Sequence, residues 1–416
     1  MRIPFYDVLI LGAGPAGLIS AACHGKEKSV AILEKNSSAG KKLLVTGSGQ
    51  CNLTHGGDMR LFFQHYHPST QFVKPCLLAF TNRDLAQFFS SRGLKLTERE
   101  DGKVFPVTYR AEDVLNTLLK ACNENGVHIF YSHSAQKVEF LEKDSCFQVS
   151  TLAGQKNFKW RAKKLIMATG GKSWPRTGST GDGYILAKML GHTITEVRPA
   201  LTPVYIRSYP FGSCAGISLK NRIFTLWRNR QKIMTHVGNL LLTHQGFSGP
   251  GILDMSRHFC PGDSLTIHFP EHNEAKTAED FQRLFLDMLT HNSKKMVKNL
   301  ISQHFQIQER LTECLLRLCG VPLNLYAWEV DKKTRETILH VLLHYPFFIH
   351  HPGDFRESMC TAGGVLLTEV NRKTMESRIR PGLYFCGEIL DVDGDTGGYN
   401  LQFAFSSGVA AAEVNV

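Results

Sequence analysis

Four apolar residues in an unbroken row, Val8-Leu9-Ile10-Leu11, stand near the start of this 416-residue chain. A row without alternation is what a strand covered on both faces of a parallel sheet needs. A second row, Val30 to Leu33, follows, and between the two the spacing predicts a helix from Pro15 to about His24. Rows at Leu165-Ile166-Met167-Ala168 and Leu383-Tyr384-Phe385-Cys386 predict two more buried strands. A small-residue helix is expected from about Gln402 to Glu413. Residues 62–119 carry mainly helical patterns, whereas 127–149 read as strands of a small sheet. The rhythm changes after Pro199 and Pro203. Residues 204–242 are β-like, and Leu265, Ile267 and Phe269 alternate with polar neighbours, the period of a half-buried sheet or barrel. Past Pro270, the residues Phe281, Leu284, Phe285, Met288 and Leu289 trace the stripe of an amphipathic helix, continued by Leu311, Leu315 and Leu318.

Glycines punctuate the buried rows where a nucleotide would need them. After the first row, Gly12 suits the tight turn, Gly14 allows a pyrophosphate to approach the backbone, and Gly17 allows the helix to pack on the sheet. Pro15 and Ala16 open that helix, whose positive end points at the phosphates. Glu34, with Lys35 beside it, follows the second row and suits an unphosphorylated ribose, which favours NAD or FAD over NADP. Three later segments decide between these two. Residues 40–54 bring Lys41 and Lys42 for phosphate charge and Gly47, Gly49, Gln50, Cys51 and Asn52 for close backbone approach. Ala168, Thr169 and Gly170 end a strand in small residues. Gly387 and Glu388 end another, with Glu388 offered to a sugar-like hydroxyl, and Gly398, Tyr399, Asn400 and Leu401 lead into the last helix. Amide donors at that helix end suit a flavin, whose reduction places negative charge on the pyrimidine side of the ring. FAD is therefore the expected cofactor, with Val138 expected to give backbone contacts to its adenine.

The fold class expected is α/β: a Rossmann-like FAD-binding domain with an inserted β-barrel-like domain that itself carries a small helical subdomain. The FAD-binding domain takes residues 1–198 and 355–416, the β-rich substrate domain 199–270 and 333–354, and the helical subdomain 271–332. A chain of this length exceeds what one core normally supports.

These motifs together carry a resemblance. The sequence resembles the three-domain bacterial flavoproteins labelled NAD(P)/FAD-dependent oxidoreductases or aminoacetone-oxidase-like proteins, distantly similar to the flavoprotein subunits of fumarate reductase and succinate dehydrogenase. It runs end to end, on residues 12–17, 47–54, Val104-Phe105-Pro106, 168–171 with 178–183, 242–250, Thr374-Met375-Glu376-Ser377, 382–388 and 396–401. One departure stands out: the family usually has an arginine before Cys-Asn, where this chain has Gln50, so a fixed positive charge expected there is absent. The resemblance implies hydride transfer at the flavin N5, in amine oxidation or in reduction of an activated carbon–carbon double bond. NAD(P)H, bound transiently, or oxygen is the possible second partner.

Charge and composition change the picture in two places. The net charge is +11, and residues 204–242 hold six Arg or Lys and no carboxylate. Such a face could attract an anionic substrate, NAD(P)H or nucleic acid. No recognised RNA-binding motif accompanies it, so a small-molecule substrate rather than nucleic acid is expected. The 11 cysteines are scattered, without a C-x-x-C pair, and Cys51 reads as a small apolar filler. No metal site is expected, since His340 and His344 at i, i+4 lack the glutamate of the protease motif. No apolar run reaches a membrane span and Met1 leads almost directly into the first strand, so a cytoplasmic protein is expected. Substrate is expected between the FAD domain and the inserted one, with Phe105, Tyr109, Arg110, His244, Phe247 and Tyr399 as candidate walls. His244, Tyr399 and Arg110 are the weak candidates for catalysis. The enzyme expected is an FAD-dependent oxidoreductase on a small metabolite; the alternatives are a tRNA-modifying flavoenzyme and a flavin-binding protein without turnover.

Overall fold

The computed structural model describes residues 3–270 and 278–412. The chain forms two compact units, Met1–Ala200 with Ser358–Val416, and Leu201–Glu357.

The first unit is built on a seven-stranded sheet. Strand Phe5–Leu11 pairs in parallel with Val30–Leu33, Val8 facing Val30 through Leu11 facing Leu33, and in parallel with the end of the long strand Lys156–Met167. Val8, Leu9, Ile10 and Leu11 are at most 1% exposed, which accounts for a row with no polar alternation. Strand Leu383–Phe385 pairs in parallel with Leu165, Ile166 and Met167. The first half of Lys156–Met167 turns to antiparallel pairing with Cys146–Ala153, which pairs in turn with Ser134–Leu141. One strand thus joins the nucleotide-binding sheet to a meander.

Helix Pro15–Cys23 packs against the last helix, Tyr399–Ala412. Gly408 makes the crossing possible, because a Cβ there would lie 2.5 Å from the Ala16 carbonyl oxygen. The last helix starts three residues before the expected Gln402; Glu413 lies outside the described residues. Residues 62–119 hold, besides helices, the hairpin Leu96–Glu98 and Lys103–Pro106, to which Thr54–His55 adds a third strand.

The second unit is a closed six-stranded barrel of Val204–Ile206, Gly246–Ser248, Gln231–Leu242, Ser218–Arg228, Ser264–His268 and Pro346–Pro352. Leu265, Ile267 and Phe269 point inward at 0% exposure. Helices Ala278–His291, Val297–His304 and Glu309–Leu318 share its core. The part of the helical subdomain expected at 271–277 lies outside the described residues. Residues 333–343, expected in the β-rich part, are instead helical: Asp331 caps Lys332–Leu343 by accepting from the Thr334 amide, and Ile338, Leu339 and Leu342 bury its inner face.

Candidate active site

The first strand stops at Gly12, whose φ of +105° suits glycine and whose Cβ, if it had one, would lie 2.5 Å from the Ala168 carbonyl oxygen. Gly17 is tighter still, its missing Cβ 2.1 Å from the Gly12 carbonyl oxygen. Gly14 is different: no protein atom lies within 4 Å of where its Cβ would stand, and the residue lines a cavity. The helix that follows begins with Pro15, has no side-chain cap and has no acid in its first turn. That leaves its amide donors for an anion.

Around this turn the cavity is walled by Gly12, Gly14, Pro15, Ala16, Glu34, Lys35 and Lys42 from the first third of the chain. Ala168, Thr169 and Gly170 come from its middle, and Gly387, Glu388, Asn400 and Leu401 from its end. The buried Glu34 accepts at Oε2 from the Ala13 amide (2.8 Å) and at Oε1 from the Asn36 amide and side chain (2.8 and 2.7 Å). Lys35 is tied to Asp182 (2.5 Å) and Thr180 (2.6 Å). Burial would raise the Asp182 carboxyl, but the Lys35 ammonium and the Thr180 hydroxyl outweigh it and hold it below its usual value. Lys42 and Glu388, 346 positions apart, pair at 2.6 Å, and Glu388 also accepts from the Thr361 amide. Glu388 was expected to face a sugar hydroxyl; the structure gives its oxygens these two partners. Thr169 Oγ1 in the wall and Asn52 Oδ1 beyond it are buried with no hydrogen-bond partner. The Thr169 hydroxyl is therefore free to meet a ligand in the cavity.

Several expected residues stand back from the cavity wall, Gly17 and Cys51 in the packing roles read from the sequence. Val138 is buried in its strand, and the cavity wall there is formed by Ala135 and His133. Gly47, Gly49, Gln50, Cys51 and Asn52 lie on the segment that leaves the wall residue Thr46, and Gly398 and Tyr399 lie just before Asn400. Gly398 sits against Thr54, its missing Cβ 2.6 Å from that residue's carbonyl carbon. Burial pushes the Cys51 thiol up to about 12, which makes it a filler and no thiolate nucleophile.

Of the three catalytic candidates, Tyr399 and Arg110 belong to the first unit and His244 to the second. Tyr399 is buried, its ring stacked on His65 at 4.0 Å and on His55 at 5.4 Å, with its carbonyl accepting from the Tyr66 hydroxyl. Arg110 is exposed and paired with the neighbouring Glu112. His244 is an exposed turn residue of the barrel, and Phe247 belongs to the barrel core, packed on Phe211 and Phe347. Phe105 is buried and Tyr109 half exposed, with Arg99 over both rings. Asn36, His133, Ala135, Ser179, Met359 and Cys360 also line the cavity. Asn36 could have been found from its place beside Glu34. Met359 and Cys360 carried no signal, because only the return of the chain to the first unit places them.

The glycine-backed turn, the uncapped helix end, the buried carboxylate and the unpartnered Thr169 together fit a flavin dinucleotide. The sequence signature of the HI0933-like protein Rossmann domain matches residues 6–414. The chain belongs to this family. With that membership go FAD as the cofactor and an oxidoreductase activity, in line with the resemblance drawn from the motifs. A ribosomal RNA dihydrouridine synthase of Haemophilus influenzae is 31% identical to it over 413 residues, covering 98% of both chains. A 3-dehydro-bile acid delta(4,6)-reductase of Clostridium scindens is 31% identical over 419 residues, covering 97% of both. The crystal structure of a 3-ketosteroid delta1-dehydrogenase from Sterolibacterium denitrificans, 11% identical, covers 99% of each chain with a TM-score of 0.50 and shares the fold. No helix among the described residues of this HI0933-like protein is long and apolar enough to cross a membrane.

Proposed function

We propose that the protein is an FAD-dependent reductase of a carbon–carbon double bond conjugated to a carbonyl group. The observation that carries this reading is the full-length similarity to two proteins whose names share that chemistry. Dihydrouridine is uridine with the ring double bond next to a carbonyl saturated, and a delta-4,6 bond in a 3-dehydro bile acid is conjugated to its ketone. FAD, when bound and reduced by NAD(P)H, would supply a hydride at N5. The protein's own groups then have separable tasks. The turn of Gly12 and Gly14 and the amides after Pro15 take the pyrophosphate, and Glu34 takes ribose hydroxyls. Asn400 and Leu401 present the amino-terminal end of a 14-residue helix to the cavity, where its dipole stabilises negative charge by roughly 0.3–1 kcal/mol.

A second reading, in which RNA carries the double bond, is favoured by one feature. Between residues 204 and 242 the buried Arg222 and the Asp263-paired Arg228 are used structurally, but Arg207, Lys220, Arg230 and Lys232 are exposed and pair with no carboxylate among the described residues. The test is to reduce the holoprotein anaerobically with NADH or NADPH and then offer an enone steroid, a uridine-containing ribosomal RNA fragment or a primary amine. Reoxidation of the flavin by the enone or the RNA, faster than by oxygen, is the expected outcome. Reoxidation by oxygen alone, or oxidation of the amine by the unreduced protein, contradicts the reading.

A further inference from the structure

Gln50 leaves the segment after Thr46 without the fixed charge expected there, yet a guanidinium stands on it. Arg99, one residue beyond strand Leu96–Glu98, reaches across from the neighbouring hairpin and donates from Nη2 to Gln50 Oε1 at 2.8 Å. Its guanidinium carbon lies 4.0 Å from the centre of the Phe105 ring and 4.9 Å from that of Tyr109. Phe105 in turn abuts the same segment, its Cε1 3.5 Å from where a Gly47 Cβ would be. Thr46 lines the cavity, and Gly47, Phe105 and Arg99 lead away from it in turn.

Further features set this exposed arginine apart. Arg99 forms no ion pair among the described residues; of the acids in its hairpin, Asp101 is taken by Lys103 at 2.6 Å and only feels Arg99 at longer range. A guanidinium has five N–H donors in one plane, and Gln50 uses one. On the same segment the Asn52 Oδ1 is buried and unpartnered. Backbone strain collects here too, with Ser48 (φ +56°) and Cys51 (φ +59°) in the left-handed region although neither is glycine.

We propose that Arg99, positioned by Gln50, Phe105 and Tyr109, is the specificity residue that takes the carbonyl oxygen of the substrate. The proposal rests on the conjugated-carbonyl reading above. In that reaction a hydride, supplied by flavin that NAD(P)H has reduced, would reach the carbon β to the carbonyl; the π electrons would move onto the oxygen, and a proton from solvent would complete the α carbon. An arginine on that oxygen binds the substrate and meets the charge as it develops. The half-exposed Tyr109 ring beside it suits a flat, conjugated substrate.

The test uses the oxidised holoprotein, with cyclohex-2-enone as the probe and the flavin absorption spectrum as the reading of binding. R99Q is expected to weaken enone binding on the order of tenfold, raise KM more than it lowers kcat, and leave FAD content and Tm unchanged. R99K should fall between the two, because an ammonium keeps the charge but loses the planar fork. The double variant Q50R/R99Q, which moves the cation back onto the segment, should recover most of the lost affinity. If the wild type binds and reduces the enone and R99Q matches it, Arg99 is wrongly assigned while the reductase reading stands. An R99Q protein that loses FAD or stability also overturns the proposal, since Arg99 would then be structural. If the wild type neither binds nor reduces the enone, the conjugated-carbonyl reading fails and this proposal fails with it.

Discussion

The glycine turn with the helices packed on it, a cradle for the nucleotide, and the barrel are both tightly packed, but they are held by different kinds of demand. In the cradle the constraint falls on the backbone: Gly12, Gly17 and Gly408 are places where another chain segment occupies the space a side chain would need. In the barrel the constraint falls on volume, met by rings such as Phe211, Phe247, Phe269 and Phe347 in mutual contact. A backbone demand admits one residue type. A volume demand admits several hydrophobic residues of similar size. The two regions should therefore fail differently when altered.

The largest expected effect is Gly17→Val. Its Cβ would fall 2.1 Å from the Gly12 carbonyl oxygen, and neither backbone segment can yield without separating the first helix from the sheet. A loss of about 4 kcal/mol or more is expected, in the range seen only for severe core defects, with little folded protein recovered. A variant that unfolds in denaturant like the wild type would show that the turn is less constrained than its geometry indicates. In the barrel, Phe247→Ala removes a fully buried ring and should cost about 3–5 kcal/mol. Phe247→Leu should cost far less, and that tolerance is the sharper test of the comparison. An equal loss for both would mean that ring shape, not volume, is what the barrel requires.

Acid should weaken the first unit through one buried histidine. His24, which follows the first helix, is 4% exposed with neither ring nitrogen partnered. Burial, with help from Lys28 and Lys164, pulls its pKa from 6.5 down to about 4. The folded state thus resists a proton that the unfolded chain accepts. Stability is full above pH 6.5 and falls as the pH drops from 6.5 towards 4, by about 2–3 kcal/mol for such a shift. His24→Leu should flatten that part of a plot of stability against pH. An unchanged slope in the variant would place the acid sensitivity elsewhere.

The same contrast explains what could be read before the structure was known. Gly12, Gly14 and Glu34 were legible because dinucleotide binding imposes residue types at fixed spacing, and all three line the cavity. The small-residue helix near the end of the chain was legible from its composition, whereas its crossing with the first helix was not. Arg99 was not, because its role comes from a hairpin that carries it onto Gln50 and over Phe105, a pairing across 49 positions that no local pattern encodes. Arg110, eleven residues on, looked the better candidate and is tied to Glu112. Tyr399 sat beside a true wall residue, Asn400, and was turned inward by the rings of His55 and His65. Backbone chemistry is written locally, whereas side-chain chemistry is assembled by the fold.

Gly14→Leu is the change with the smallest expected effect on stability, and it separates the two meanings of a conserved-looking glycine turn most cleanly. Gly14 has φ −81°, which any residue accepts, and no protein atom stands within 4 Å of the added Cβ. The folded apoprotein should therefore keep its Tm within the small shift typical of an unconstrained site, about 0.5 kcal/mol. The new side chain would nevertheless fill the wall of the cavity beside the uncapped helix end, where the pyrophosphate must lie against the backbone. Folded but colourless protein is the outcome that follows. Yellow protein with a full complement of FAD would remove the phosphates from this turn, while unfolded protein would mean that Gly14, like Gly17, answers to packing rather than to the ligand.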